Sequence, residues 1–193
     1  AVRNDPAAMW EHIDPPVRGW YAKRVAIVGA ESTGTTTLAQ DLASSLGVQW
    51  VPEYGREYSV IKQDAGETEW NTEEFLKIAR EQTRQEDEAA ENSNGLIICD
   101  TNAFATCLWH RRYMGFDCPA LSQFASHGRV DLYLLTGDEI PFVQDGLRDG
   151  EHIRHQMHQW FEESLRQQPV PWHLITGTRE ERLASALKLI SAI

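Results

Sequence analysis

The residues best placed to do chemistry form a glycine-bracketed loop, Gly29-Ala-Glu31-Ser32-Thr33-Gly34-Thr35-Thr36-Thr37, directly after the apolar residues 24–28. Both glycines and the closing hydroxyl keep the spacing of the phosphate-binding pattern G-x-x-x-x-G-K-[ST]. At this spacing successive backbone N–H groups can turn inward around phosphate oxygens, and a following helix adds partial positive charge. In that reading Gly29, Glu31, Ser32, Thr33, Gly34, Thr35, Thr36 and Thr37 form a seat for the phosphates of ATP, and the Thr36 hydroxyl faces Mg²⁺. The plainer reading is a Gly/Thr-rich turn that only joins a strand to a helix. The lysine position of the pattern is held by Thr35. Loss of such a donor to a transferring phosphoryl group costs on the order of 10²–10³ in rate, unless another cation replaces it.

Elements must hold this loop open. Short apolar runs at residues 24–29, 49–53, 96–100, 130–136 and 172–176 read as five strands. Between them Leu38, Leu42 and Leu46 recur at helical spacing up to Gly47, which suits a left-handed C-cap. Residues 72–93 read as a long, charged helix with Phe75, Ile78 and Ala79 as its narrow apolar stripe. Thr178-Arg-Glu-Glu181 has the form of a capping box ahead of Leu183, Leu187 and Ile190. Strands separated by helices imply parallel crossovers, an α/β sandwich, and ligands at the carboxyl ends of the strands. The run at 96–100 closes on Asp100 in the manner of a Walker B strand, where the carboxylate holds Mg²⁺ directly or through water. Capping of the next helix is the ordinary alternative for Asp100. Residues 1–22, rich in Pro and Trp, read as a linker or lead-in segment, and 23–193 as one domain.

Composition narrows the classes. At 193 residues and 41% hydrophobic side chains, one domain can build its core without disulfide staples. With 29 acidic against 18 basic residues and a net charge of -11, binding of nucleic acid through phosphate contacts is disfavoured. Three cysteines form no framework, no apolar run approaches the ~20 residues of a membrane span, and the N-terminus lacks a signal-peptide layout, so the expected setting is cytoplasmic, with no membrane partner. His152, His155 and His158 recur at intervals of three, but the row drifts round a helix and no cysteine or carboxylate completes a zinc set. Cys107, His110 and Cys118 read as core and loop residues.

Residues 24–43, Glu53-Tyr54-Gly-Arg56-Glu-Tyr58, Asp100-Thr-Asn102 and Asp145-Gly-Leu-Arg148 stand in an order and spacing that resemble the ribosylnicotinamide kinase domain of NadR-type proteins. The lead-in from Trp10 to Val25 is similar to the segment that joins that domain to an upstream nicotinamide-mononucleotide adenylyltransferase domain. The resemblance implies a three-layer P-loop kinase fold with a five-stranded parallel sheet of order 2-3-1-4-5 and a mobile lid. It implies transfer of the ATP γ-phosphoryl group to the 5′-hydroxyl of nicotinamide riboside, with ATP, Mg²⁺ and the nucleoside as the small-molecule partners. Two departures stand out: Thr35 replaces the usual lysine, and Asn102 stands where many members carry a second Asp.

Such a transfer needs an in-line hydroxyl, charge neutralisation on the γ-phosphate and a carboxylate to accept the proton. Glu53 or Asp100 would take the proton, and the other would orient ribose or metal. The ordinary alternatives for Glu53 are a salt bridge to Arg56 or a helix cap. Tyr54 and Tyr58 could stack on a pyridinium ring, as could Trp109. Arg56, Asn102 and Asp145 complete the expected substrate contacts. Residues 137–150 are glycine-punctuated and sit where a lid would close over phosphates. There Arg148 is the first candidate to supply the charge Thr35 lacks, Arg154 the second, and Asp145 either contacts ribose or holds Arg148. A rival reading is a nucleotide-binding sensor without turnover; another is a kinase for a different nucleoside.

Overall fold

The computed structural model describes residues 7–193. A short 3-10 helix, Ala7–His12, and α1 (Pro15–Tyr21) lead into β1 (Lys23–Val28) and α2 (Thr35–Leu46). There follow β2 (Gln49–Val51), α3 (Tyr54–Asp64), α4 (Thr72–Glu91), β3 (Leu96–Asp100), α5 (Ala103–Met114), α6 (Pro119–Ser126) and β4 (Leu132–Thr136). A 3-10 turn, Glu151–Ile153, then opens α7 (Arg154–Gln167), and β5 (Trp172–Ile175) and α8 (Arg179–Ile190) close the fold.

All strand pairs are parallel and the sheet runs β2-β3-β1-β4-β5, the order expected. Both faces are covered. Val25, Ile27, Leu134 and Ile98 pack under α2 and α8, while Ala26, Val28, Tyr133 and Leu135 pack against α5 and α7. Central strands buried on both faces explain the unbroken apolar runs that marked them in the sequence.

Register positions the chemistry. Ile27 pairs with Asp100, so the third strand ends beside the start of the phosphate loop. Val51 pairs with Cys99, which brings Glu53, two residues beyond β2, to the same end of the sheet. Val28 pairs with Leu135, which sets Thr136 against Gly29.

The second strand departs from expectation. The second strand is shorter than 49–53, and Glu53 is the N-cap of α3 rather than a strand residue. The lead-in segment lies against the domain: α1 packs on α4, Trp10 Nε1 donates to Ser93 O at 2.7 Å, and Ala22 is fully buried. The first six residues of that segment lie outside those described. Among the described residues no helix is long and apolar enough to cross a membrane.

Candidate active site

The loop after β1 is built as an anion cradle. Gly34 is left-handed at φ 85 and caps α2, whose first residue is Thr35. Gly29 admits no side chain: a methyl group there would overlap Thr136 Oγ1 and lie 2.6 Å from Thr33 Oγ1. Ser32 takes a left-handed φ of 59, a conformation that non-glycine residues adopt at some cost and that recurs at ligand sites. Thr33 is buried inside the turn, donating to Ala30 O at 2.7 Å and sharing a 2.7 Å hydrogen bond with Thr136.

The two carboxylates converge on this cradle. Asp100 is 1% exposed, and its Oδ1 has no hydrogen-bond partner. Burial raises its pKa to about 6, against the opposing pull of the Thr36 and Thr35 hydroxyls and Arg56. Glu53 is raised further, to about 8, by burial first and then by the charge of Asp100, with Arg56 opposing. Its side chain makes no cap hydrogen bond to α3, and Arg56 is bound instead to Asp145 at 2.5 Å. Neither of the ordinary roles for Glu53 is therefore taken up.

From the cradle a cleft runs to an aromatic wall. It is lined by Gly29, Glu31, Ser32, Thr35 and Thr36 of the loop, by Glu53 and Gln82, by the aromatic group Trp70, Phe75, Trp109 and Tyr113, and by Arg56 and Arg148. Trp70 lies 5.3 Å from Tyr113 and 5.2 Å from Phe75, centroid to centroid, and Trp109 stacks on Tyr113 at 6.4 Å and 22°. Lys62, bound to Glu74 at 2.6 Å and to Glu69 O at 2.8 Å, sits 5.1 Å over Trp70 and pins the loop that carries it.

Over the cradle lies the segment between Gly137 and Gly150. Val143 N–H donates to Ser32 Oγ at 2.9 Å, and Gly150 N–H donates to Glu31 Oε2 at 2.6 Å. Arg148 Nη1 donates to Val143 O at 2.5 Å and faces Ser32 Oγ at 3.4 Å, and its Nε lies 3.3 Å from Asp145. Beneath it, the buried Arg112 side chain faces Glu31 at 3.5 Å, pairs with Asp149, and stacks against Trp109 and Tyr113. Burial raises the Glu31 pKa, and Arg112 opposes that rise.

Several expected contacts are placed elsewhere. Tyr54 is outside the cleft lining, 6.2 Å from Tyr58, because the turn into α3 points Glu53 inward and Tyr54 away. Asn102 is consumed by the fold: Oδ1 accepts Ala105 N–H at 3.2 Å as the cap of α5, and Nδ2 donates to Tyr133 Oη at 3.0 Å. Asp145 accepts from Leu147 and Arg148 N–H at 3.1 and 3.2 Å, so it shapes the lid instead of lining the cleft. Arg154 donates to Ser32 O at 3.0 Å and braces the loop backbone. Gly34 and Thr37 face a second pocket, shared with Leu38, Ile140, Thr178 and Arg182.

Other cleft residues had escaped the sequence reading. Trp70 lies in a stretch without period, which hides it. Tyr113 and Arg112 follow Trp109 on α5, and the four-residue spacing from Trp109 to Tyr113 was a usable signal of a shared face. Gln82 and Arg182 gave none, because buried polar residues on charged helices look like solvated ones.

The AAA domain family AAA_28 matches residues 24–182. The chain belongs to this AAA-domain family. Beyond this AAA-domain match, the chain is 31% identical over 147 residues to the Trifunctional NAD biosynthesis/regulator protein NadR of Escherichia coli (strain K12), and equally to that of Salmonella typhimurium. Each match takes in 76% of this chain and 36% of the relative, so the chain spans about a third of those curated proteins. In fold, this AAA-domain chain superposes over its whole length on 58% of a NadR protein crystallised in complex with NR, at TM-score 0.82 and 22% identity. A NadR protein in complex with NAD and AMP-PNP gives 0.79 at 21% identity, over all of this chain and 56% of that one. A deoxyadenosine kinase from M. mycoides with bound dCTP gives 0.56 at 12%, over 88% of this chain and 100% of that one.

Proposed function

We propose that this protein transfers the γ-phosphoryl group of ATP to the 5′-hydroxyl of nicotinamide riboside, forming nicotinamide mononucleotide for NAD synthesis. The observation that carries the reading is one cleft lined together by the anion cradle, an aromatic wall and Glu53. The cradle suits a triphosphate, and the second pocket on its other side suits the base of ATP. Trp70, Trp109 and Tyr113 suit a flat, cationic pyridinium ring, because aromatic faces attract delocalised positive charge. The chain's net charge of -11 favours the same substrate. The likeness to NadR proteins, one of them in complex with NR, supports the choice of acceptor.

In this reading the residues present fit Mg²⁺. Asp100 Oδ1 is a buried acceptor with no partner, and the Thr36 hydroxyl stands beside it. When bound there, Mg²⁺ neutralises and orients phosphate oxygens. Asp100 is then committed to the metal side, and Glu53 receives the proton of the 5′-hydroxyl as the oxygen attacks in line. Arg148, lining the same cleft from the lid, supplies positive charge where Thr35 offers only a hydroxyl. Closure of residues 137–150 excludes water from the transferring group. The free cysteines and the dependence on ATP fit a cytoplasmic setting, and the greater length of the NadR relatives fits an adjoining unit that consumes the mononucleotide.

Thr35 also favours a second reading, a nucleotide sensor without turnover. Incubation with Mg-ATP and a panel of nucleosides, with ADP and monophosphate followed by chromatography, separates the two. Turnover with nicotinamide riboside at least tenfold above that with uncharged nucleosides is expected. Binding of ATP without any monophosphate would favour the sensor.

A further inference from the structure

Arg182 lies at the start of α8, four residues past the Thr178 cap, and is 5% exposed. Its guanidinium reaches three different loops. Nη1 donates to Thr33 O at 2.6 Å in the phosphate loop after β1. Nη2 donates to Gly137 O at 3.0 Å and to Glu139 Oε1 at 2.7 Å in the loop after β4. Nε donates to Gly177 O at 3.1 Å in the loop after β5. The planar fork is thus spent on backbone carbonyls and one carboxylate, an arrangement a single ammonium cannot reproduce.

The acceptor at Thr33 matters most. An anion cradle needs its N–H groups turned inward, which turns the intervening carbonyls outward, where they require donors of their own. Thr33 O is the carbonyl immediately before the left-handed Gly34, and Arg182 Nη1 lies 3.5 Å from the position a Gly34 side chain would take. Glu139 fixes the fork from behind, its Oε1 also accepting Gly177 N–H at 2.9 Å. Burial pushes the Glu139 pKa up, but Arg182 and the backbone donors prevail and hold it below the usual carboxylate value. With its charge answered by Glu139, Arg182 acts through shape.

We infer that Arg182 is a positioning residue for the nucleotide, holding the crest of the phosphate loop in its anion-accepting form through Thr33 O while tying it to the loops after β4 and β5. The inference rests on the proposed nucleotide seat but not on the identity of the acceptor. In this chain the role is heavier than usual because Thr35 cannot draw the loop onto the phosphates as an ammonium would.

Arg182→Lys and Arg182→Gln in the full chain test it, by titration with a fluorescent ATP analogue and, separately, with nicotinamide riboside read by tryptophan quenching. Arg182→Gln should weaken nucleotide binding about tenfold or more, and Arg182→Lys about three- to fivefold, since charge alone does not restore the fork. Nucleoside binding should stay within about twofold of wild type in both. Should Arg182→Gln fail to fold, Arg182→Lys decides. Wild-type nucleotide affinity in the lysine variant, or equal losses for nucleotide and nucleoside, would overturn the inference. Wild-type protein that binds no nucleotide would remove the kinase reading and this inference together.

Discussion

At Glu53 one proton links folding stability to the proposed transfer. Burial and the neighbouring Asp100 lift its pKa to about 8, so the ligand-free folded chain binds this proton more tightly than the unfolded chain does. The contribution to stability is complete below the ordinary carboxylate pKa and is lost as pH rises towards 8; Asp100, raised to about 6, acts in the same direction. The melting temperature of the ligand-free protein should therefore fall between about pH 5 and 8, and Glu53→Gln should flatten that fall; Glu86, also raised to about 8 by burial, retains part of it. The kcat/KM of the wild type should rise over the same interval as Glu53 becomes able to accept a proton. Glu53→Gln should remove that limb and lower kcat by about 10²–10⁴. Arg148→Ala should cost about 10²–10³ in kcat, whereas Thr35→Lys should raise it less than tenfold if Arg148 already supplies the charge. Steady-state kinetics of the two variants measures both effects.

Among the elements, the 137–150 segment is held by two residues of the phosphate loop, Ser32 at its middle through Val143 and Glu31 at its end through Gly150. A side chain at Gly150 would displace the ends of Glu31, the acceptor of the Gly150 N–H, and of Arg112, whose Nη2 would lie 2.7 Å away. Gly150→Ala should raise the KM for ATP several-fold while the melting temperature changes little, because the substituted position lies in a loop. The helix α4 carries a full capping box between Asn71 and Glu74, and Asn71→Ala should cost about 1 kcal/mol in denaturant unfolding. The elements differ in how plainly the sequence declares them. The phosphate loop is written in adjacent residues, and its strand and helix follow from local period. The buried strands are equally plain, as is the capping box at Thr178, which forms as expected. Trp70 and Arg182 are not readable, because Trp70 meets Tyr113 of α5 and Arg182 meets the loops after β1 and β4, contacts between segments far apart in the chain. At Asn102 the fold adds what a motif cannot reveal, a cap bond to Ala105 N–H and a bond to Tyr133 Oη.

Across the whole molecule, the sheet order places β3 and β4 on either side of β1, so the loops that follow all three meet at one end. That end holds the cradle, the buried Asp100 and the 137–150 segment, with the aromatic wall supplied by the α3–α4 connection, α4 and α5. A bound nucleotide joins these parts, and Mg-ATP at a hundred times its Kd should add about 2.7 kcal/mol to the folding stability, measurable as a higher melting temperature. Without Mg²⁺ the gain should shrink, since the Asp100 carboxylate would then face phosphate charge without a cation between them. Phosphorus NMR of a reaction containing protein, Mg-ATP and nicotinamide riboside tests the phosphoryl transfer itself. The expected result is a new 5′-monophosphate resonance growing in step with ADP; ATP that binds but yields only free phosphate, or no change at all, would contradict it.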